Sequence, residues 1–432
     1  GLQDGACYDF NGTTSSIDLG SEVMGTGALT VSAWVKSDDY GEYGGNNYGR
    51  IVDNGTQYLY IASASSGQIL FKRSNGGTAA EAPWPTSNHG KWIHVAATST
   101  AAGAIKIYIN GVDSTTTAGA GSPTAGNTNT FIGNDGGSDR TWDGSIRDVK
   151  IFPSELDAAD IRKLYSGENP KKNLNVELIS NGDFSDSIGS EWAGSIDATL
   201  TQNNGQLTVT SSGSNYGAAY APISITEGKC YLLTFDMVDT DANSYIRVGT
   251  IDATNNTGSA QVATNILSNA VVADGTTVRT VFTANSSQAS HGYLAFGGRN
   301  DMTTLVLDNV SLIEVGTLVD FNPQSASSTK WRNEAIPSLY NGTVNNATLS
   351  QGNSYWNNIK QDGQAVELSD TFEVTGANEK INLKLGAPHN TITQRGWLQL
   401  ENASNNTTVY TNAGASNGEF GIHTFKQSKG DG

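Results

Sequence analysis

The sequence has few of the residues on which several protein classes depend. Only two cysteines, Cys7 and Cys230, occur in 432 residues, and because they fall in different predicted domains we expect both to be unpaired. Only 16% of the residues are charged, and the acidic excess gives a formal net charge of −17. That charge disfavours nucleic acid, whose phosphates would be repelled. No apolar run has the length of a membrane-spanning helix, so we expect neither nucleic acid nor a membrane among the partners.

The chain is rich in glycine, with 50 residues, and in serine, threonine and asparagine. This composition is typical of many short strands joined by tight turns, and it predicts an all-β protein. The length indicates two to four domains. The first residue is not methionine and the last residues show no stop pattern of their own. The sequence is therefore interpreted as processed or truncated, with more protein following residue 432.

Residues 141–165 predict the end of a first domain. Apolar and polar residues between 146 and 151 predict a strand, which Pro153 ends because proline cannot donate to a β-ladder. Ser154 is then the expected N-cap of one short helix. Gly167 suits the left-handed conformation that closes such a helix. A last strand followed by a docking helix is typical of a domain end, so the first domain is predicted at residues 1–167.

This domain contains, in order, the segments FNGTTSSIDLG, LTVSAWVK, KWIHVAAT, IYINGV, FIGND and WDGSIRDVKIFPSELDAADIRKLY. Together they resemble the laminin-G-like, concanavalin A-like jelly-roll family. The resemblance implies a sandwich of two antiparallel sheets. It also implies a choice among glycan, protein or calcium binding and a role as a spacer, because one fold supports many functions.

The first domain lacks the residues that hydrolases of this fold carry. Those glycosidases place two carboxylates on one strand, typically as Glu-x-Asp-x-x-Glu, and no such run occurs. With no Ser-His-Asp or metal-histidine pattern either, we predict that the protein is not an enzyme. Trp84 lies between two prolines in a predicted loop, where it either stacks on a sugar ring or plugs the sandwich rim. Asp135 and Asp139 are either calcium ligands or ordinary residues of a glycine-rich turn.

A polar linker at residues 168–175 precedes a second predicted domain at 176–316. This domain begins with LISNGDFSDSIGSEW and ends with LVLDNVSLIEV. Both ends resemble the carbohydrate-binding jelly rolls attached to xylanases and related enzymes. Many domains with these ends have lost sugar binding and serve as structural modules.

The resemblance implies one structural calcium ion where the first and last strands of the second domain meet. Asp308 would be a ligand, assisted by Glu177 and Asp183; alternatively, Asp308 only caps its own turn. For sugar binding, Tyr245 and Arg247 are the best candidates, because residues two apart on a strand point to the same face. Trp192 is expected to lie in the core.

Residues 317–432 change the interpretation of the whole chain. Trp331 and the run NGTVNNATL resemble a connecting segment of bacteriophage tail-fibre and appendage proteins. Beyond that run, short β segments carry too few large apolar residues to fill a core of their own. Such strands must be buried against a partner, and identical chains around a threefold axis are the simplest one. A connecting segment and a trimeric β stem are therefore predicted here.

Two functions from different classes remain open. The first is a structural and adhesive virion protein, a phage tail fibre or capsid appendage, that contacts host-surface glycans or other virion proteins as a homotrimer. The second is a secreted or cell-surface bacterial carbohydrate-binding protein, cut from a polysaccharide-degrading enzyme or acting alone. The first is favoured by residues 317–432, and the second by the two lectin-like domains. In the first case, weak sites repeated by symmetry on a rigid stem would gain strength through avidity.

Overall fold

The structure is a computed structural model, and it confirms the all-β prediction. It describes residues 6–41, 48–63, 67–74, 76–137, 139–195, 198–211, 217–240, 246–251, 264–270, 272–298, 304–350, 407–412 and 421–426. The chain divides into two compact units, Gly1–Ser354 and Tyr355–Gly432. In the second unit the described residues form a single hairpin of β27 (Thr407–Asn412) and β28 (Gly421–Lys426). The predicted trimeric stem falls almost entirely outside the described residues and stays a prediction.

The described residues of the first sandwich form twelve strands before the linker. They are β1 (Cys7–Asn11), β2 (Ser16–Asp18), β3 (Leu29–Ser37), β4 (Arg50–Asp53), β5 (Tyr58–Ala62), β6 (Gln68–Lys72), β7 (Ala80–Pro83), β8 (Ile93–Ser99), β9 (Ile105–Ile109), β10 (Val112–Asp113), β11 (Phe131–Ile132) and β12 (Asp143–Phe152). One sheet has the order β10-β9-β8-β3-β12-β1, and the other has the order β2-β11-β4-β5-β6-β7. All pairs are antiparallel, and the predicted Asn-Gly hairpins at residues 54–55 and 110–111 join β4 to β5 and β9 to β10.

Helix α1 (Ala158–Ser166) follows β12, as the sequence predicted, but it begins three residues later than expected. Asp157 is the N-cap, and its carboxylate accepts hydrogen bonds from the amides of Ala159 and Asp160. The predicted cap, Ser154, instead provides a carbonyl that accepts the Thr30 hydroxyl, so its backbone anchors the turn to β3. Gly167 closes the helix in the left-handed conformation, with φ of 93°, as expected.

The described residues of the second sandwich form ten strands. They are β13 (Ala193–Gly194), β14 (Ala198–Asn203), β15 (Gln206–Ser211), β16 (Ala218–Pro222), β17 (Cys230–Thr240), β18 (Ile246–Ile251), β19 (Thr264–Ala270), β20 (Thr276–Thr283), β21 (Tyr293–Gly298) and β22 (Thr304–Val315), with the short helix α2 (Ser286–Ser290) between β20 and β21. Its two sheets run β13-β16-β21-β18-β19 and β14-β15-β22-β17-β20. Trp192 is buried in this core, as predicted.

Residues 317–350, here called the return segment, add strands to the first sandwich. The segment contains β23 (Val319–Phe321), β24 (Lys330–Trp331), β25 (Gly342–Asn345) and β26 (Thr348–Ser350). Strand β23 pairs with β12 and β26 pairs with β1, whereas β25 pairs with β2 of the opposite sheet. The second sandwich is therefore an insertion between two parts of the first.

This arrangement differs from the interpretation of residues 317–350 as a connecting segment outside the sandwiches. Trp331 is fully buried, with its ring 5.0 Å from Phe321 and 4.9 Å from Tyr8. The Tyr8 hydroxyl donates to the Ser327 carbonyl at 2.6 Å. The strands of the return segment are therefore buried against the first sandwich of the same chain.

The return segment also contacts the second sandwich. Cys230, Leu232 and Val315 belong to one apolar cluster with Ile336 and with the core of the first sandwich. Both cysteines are buried and free, as predicted. Within the part of the chain that the structure describes, no helix is long and apolar enough to cross a membrane.

Candidate functional site

A tyrosine-lined surface on the second sheet of the first sandwich is the best described candidate site. On β5, Leu59 and Ile61 point into the core, which leaves Tyr58 and Tyr60 on the outer face. The rings of Tyr58 and Tyr60 lie 5.4 Å apart between centroids, and Tyr48 lies 5.9 Å from Tyr60. All three side chains are partly exposed. Tyr48, Tyr58 and Tyr60 are called the tyrosine platform below.

A bulge on the neighbouring strand places an ion pair under the platform. The register of β4 against β5 shifts between Arg50 and Val52, and both Ile51 and Val52 point into the core. Arg50 and Asp53 therefore both lie on the outer face, where they oppose Tyr60 and Tyr58. The distance between Arg50 Nε and Asp53 Oδ2 is 2.8 Å, and each side chain is only 2% exposed.

The guanidinium of Arg50 packs against two of the three rings. Its central carbon lies 4.2 Å from the Tyr58 centroid and 4.5 Å from the Tyr60 centroid. Such cation–π contacts are strongest when water is excluded, as it is here. The Nη1 atom of Arg50 is buried and lacks a hydrogen-bond partner among the described residues. Arg50 therefore holds the tyrosine rings in position from below.

The ion pair is electrostatically unusual because it is buried. Burial raises the pKa of Asp53 to about 6, although Arg50 and the amide of Gly55 oppose this shift. Burial also lowers the pKa of Arg50, and Asp53 acts in the opposite direction. The pKa of the Tyr60 hydroxyl rises to about 12 for the same reason. At neutral pH the face thus presents a carboxylate, a guanidinium and neutral phenols.

The two predicted calcium ligands of the first domain lie beside this platform. Asp139 is hydrogen-bonded to Asp135, and this bond contributes most to raising the pKa of Asp139. Arg140 Nε is 3.6 Å from Asp135 and 3.8 Å from Asp139, and its guanidinium lies 6.0 Å from the Tyr48 ring. The structure therefore brings the predicted pair together, but a guanidinium already supplies positive charge there.

Trp84 does not lie on the surface. It is completely buried in the core of the first sandwich, and its carbonyl accepts the Tyr40 hydroxyl at 3.0 Å. Its indole face is not available to a sugar, so the packing alternative replaces the sugar-stacking one.

The predicted calcium ligands of the second domain are occupied by hydrogen-bond donors. Glu177 accepts the amides of Leu178, Ile179 and Leu312 with one oxygen and the Ser311 hydroxyl with the other.

The other two predicted ligands bond within their own turns. Asp183 accepts from Ser185, and Asp308 accepts the amide of Asn309. No group of three or more histidine, cysteine or acidic residues suited to a metal ion occurs within the described ranges.

The second sandwich has its own aromatic pair. Tyr220 and Tyr293 are partly buried, and their rings meet edge to face at 5.3 Å between centroids. They lie on adjacent strands of the sheet β13-β16-β21-β18-β19, over the small residue Ala295. Of the predicted sugar-binding residues, Tyr245 lies outside the described residues. Arg247 is described only as a position of β18 opposite Gly297.

Sequence reasoning missed the tyrosine platform, although one signal was present. The alternation of Tyr58-Leu59-Tyr60-Ile61 places both tyrosines on one face. The part played by Arg50 could not be found this way, because the bulge breaks the alternation of β4. Tyr48 comes from a loop, so only the fold brings it to the other two rings.

The comparisons with known proteins agree with the fold of the first sandwich. A sequence model of the concanavalin A-like lectin/glucanases superfamily matches residues 11–162. The match extends over the first sandwich and into helix α1, so this sandwich has a lectin-like fold. It covers less than half of the chain. The search of curated proteins gave no match.

Among solved structures, the chain is similar to a heptameric SAP-like pentraxin from Limulus polyphemus, with 16% identity, a TM-score of 0.31, and coverage of 38% of this chain and 82% of that one. It is also similar to a putative carbohydrate binding protein from Bacteroides ovatus, with 17% identity, a TM-score of 0.30, and coverage of 38% and 47%. A third is domain 4 of AbnA, an extracellular arabinanase from Geobacillus stearothermophilus, with 19% identity, a TM-score of 0.28, and coverage of 36% and 74%. At these scores the similarity carries no functional argument.

Proposed function

We propose that this chain is a carbohydrate-binding protein and that the tyrosine platform is its principal binding face. The observation that supports this most is the stacking of Arg50 beneath Tyr58 and Tyr60. Rings that are held from below keep their outer faces in place, so little side-chain entropy is lost when a sugar stacks on them. Tyrosine also offers a hydroxyl beside an apolar ring, which suits the mixed surface of a pyranose.

The charges around the platform favour a neutral sugar. Arg50 and Arg140 are balanced by the nearby carboxylates Asp53, Asp135 and Asp139, and the whole chain carries a formal charge of −17. An acidic glycan would be repelled at long range. Vicinal hydroxyls of a neutral sugar instead suit a surface that offers both donors and acceptors.

The test is binding of the full chain to a panel of neutral and acidic polysaccharides by affinity electrophoresis and calorimetry. The variant Tyr58→Ala/Tyr60→Ala should lose about tenfold or more in affinity for the best ligand, since each stacked ring contributes about 1 kcal/mol. Tyr165→Ala is the matched control, because Tyr165 is an exposed tyrosine on helix α1. Unchanged affinity in the double variant would remove the platform from the proposal.

The second sandwich provides a second candidate face in this proposal. Tyr220 and Tyr293 offer a smaller aromatic surface, and Tyr245 and Arg247 remain proposed sugar-binding residues of this domain. Several weak sites on one assembly would add through effective concentration, without any new contact. Host-surface glycans are the proposed ligands in that case.

A bacteriophage tail fibre or capsid appendage is the proposed setting, with a homotrimer and other virion proteins as partners. Its support is the resemblance of the segment around Trp331 to phage connecting segments. The alternative is a secreted or cell-surface bacterial carbohydrate-binding protein, which the lectin-like fold of the first sandwich supports equally. Light scattering of the full chain separates them, because a trimer favours the fibre and a monomer favours the alternative.

We also propose that the chain is not an enzyme. Asp135 and Asp139 are in direct hydrogen-bond contact, whereas glycosidases separate their carboxyl pair by about 5 Å or more. A structural calcium ion bound by Asp135 and Asp139 remains part of the proposal, and it would compete with Arg140 for the two carboxylates. Thermal melting with calcium and with a chelator tests it, and equal midpoints would exclude it.

A further inference from the structure

Lys150 and Asp320 form the most enclosed lysine–carboxylate pair within the described part of the chain. They face each other across β12 and β23, with 2.6 Å between Lys150 Nζ and Asp320 Oδ1. Their side chains are 13% and 17% exposed. In the other described lysine–carboxylate pairs the lysine is 47% to 57% exposed. The pair is therefore largely shielded from solvent, and its two side chains are held in one geometry.

The two strands hold the pair in place. Val149 and Ile151 on one side, and Val319 and Phe321 on the other, point into the core. Lys150 and Asp320 therefore lie opposite each other on the outer face of the first sheet.

A third acidic group lies on the same face. The register of β12 against β3 shifts between Arg147 and Lys150, and Asp148 has a φ of 51°. Such a bulge places the two successive residues Arg147 and Asp148 on the same side of the sheet. Lys150 lies on this side too. Burial raises the pKa of Asp148, and the charge of Asp320 acts in the same direction, whereas the charges of Lys150 and Arg147 lower it. Arg147 Nε lies 3.8 Å from the Asp148 carboxylate. Asp148 is thus a carboxyl group that can carry a proton beside the pair.

The linker fixes the other oxygen of Asp320. The side-chain amide Nδ2 of Asn169 donates to Asp320 Oδ2 at 2.9 Å. This leaves Oδ1 directed to the lysine and Oδ2 directed to a neutral hydrogen-bond donor. The carboxyl carbon is therefore held next to the amine, with one oxygen stabilised in the position of an amide carbonyl.

We propose that Lys150 and Asp320 condense to an amide bond within the folded chain. Asp148 takes a proton from the lysine ammonium, and the free amine attacks the carboxyl carbon of Asp320. The ammonium loses two protons in forming the amide, and Oδ1 receives both of them, one by way of Asp148. Oδ1 then leaves as water. Oδ2 remains as the amide oxygen, bonded to Asn169. The reaction needs no oxidant or other reagent, because one amine and one carboxyl group give one amide and one water.

The bond would link residues that are 170 positions apart in the sequence. It would close a covalent loop around the entire second sandwich and fasten the return segment to the first. Cross-links that close long loops restrict the unfolded chain most. A protein that holds glycans under mechanical load would gain from such a link, but the chemistry does not depend on glycan binding.

The test is the intact mass of the full chain under denaturing conditions. We expect the mass to fall short of the sequence mass by one water. Trypsin should leave Lys150 uncut and release residues 148–162 joined to residues 300–330 as one branched peptide. A full sequence mass, with normal cleavage after Lys150, would overturn the proposal, and neither result depends on the behaviour of a variant.

Two variants separate this bond from dehydration elsewhere. Lys150→Arg keeps the positive charge but cannot form the bond in this way, so it should regain the full mass. Asp148→Asn keeps the size of the side chain but removes the proton carrier, so it should retain the full mass for much longer than the natural protein. A mass deficit that persists in Lys150→Arg would assign the lost water to another site and overturn the proposal.

Discussion

The two sandwiches solve the same packing problem in different ways. The second sandwich is continuous in sequence, and its first and last segments meet where Glu177 caps the backbone of β22. The first is split, and the strand at one edge of each of its sheets comes from the return segment, after the second sandwich has been inserted. In a continuous sandwich, all strands come from one stretch of the sequence. A split sandwich also needs strands from a distant, later part of the chain. The comparison predicts that the first sandwich, although it comes first, is the more dependent of the two.

The largest effect is expected from removing the return segment. A chain of residues 1–316 leaves the edges of β1 and β2 unpaired and exposes the surface that Trp331 and Phe321 cover. We expect the first sandwich to be unfolded or aggregated in this chain. Residues 176–316 alone should remain folded, as measured by circular dichroism and thermal melting. A stable, monomeric first sandwich in residues 1–170 would remove the difference between the two sandwiches.

A single substitution sharpens the same contrast. Trp331→Ala removes a fully buried ring that contacts Tyr8 and Phe321, and the loss should be about 3–5 kcal/mol in free energy of unfolding. Trp331→Phe is the control and should cost clearly less. Differential scanning calorimetry should show the loss in the transition of the first sandwich. A loss confined to the second sandwich would contradict the assignment of this residue.

A buried histidine gives the first sandwich a pH dependence of its own. Burial lowers the pKa of His94 to about 3, and its ring bonds to the Ser32 hydroxyl at 2.9 Å. Because the unfolded chain binds a proton below about pH 6.5 and the folded chain does not, this contribution is complete above that pH and is lost as the pH falls.

Between pH 7 and pH 5 the loss should be about 2 kcal/mol. His94→Gln should show a smaller decrease than the natural protein in urea titrations at both pH values. Equal decreases would mean that other groups account for the whole effect.

The two aromatic faces should differ in affinity. Tyr58→Ala/Tyr60→Ala is expected to weaken glycan binding by about tenfold or more, and Tyr220→Ala/Tyr293→Ala by less, because Tyr48 extends the first face to three rings. Calorimetry with the same ligand measures both. A larger loss in the second sandwich would reverse the order of the two sites.

The smallest effect concerns the acidity of Asp53. Its pKa of about 6 means that the carboxylate is protonated as the pH falls below that value, and the ion pair with Arg50 is then lost. Glycan affinity at the tyrosine platform should fall a few-fold between pH 7.5 and pH 5. Asp53→Asn should bind weakly at both values and show little dependence on pH. An equal dependence in this variant would exclude Asp53 as its source.

The calcium predictions show where sequence reasoning reaches its limit. Asp135 and Asp139 are close in sequence and in space, so their proximity could be predicted from the turn. For Glu177, the hydrogen-bond donors around the carboxylate could not be predicted. Two of its four donors, Ser311 and Leu312, come from the far end of the second sandwich. Whether a carboxylate needs a cation depends on such distant partners. Trp84 illustrates the same limit, since its loop sequence fits both a buried and an exposed ring.

The sequence by itself determined the class of the fold, the number of sandwiches, the helix after β12 and the free state of Cys7 and Cys230. These features follow from alternation, turn residues and composition, which act over a few neighbouring residues. Only the tertiary structure decided that the return segment completes the first sandwich and that Arg50 lies under the tyrosine platform. Strand pairing between distant residues depends on which edges remain open after the rest has folded, and a bulge changes which side chains share a face. Neither property is a function of local sequence, and both decide where the candidate site lies.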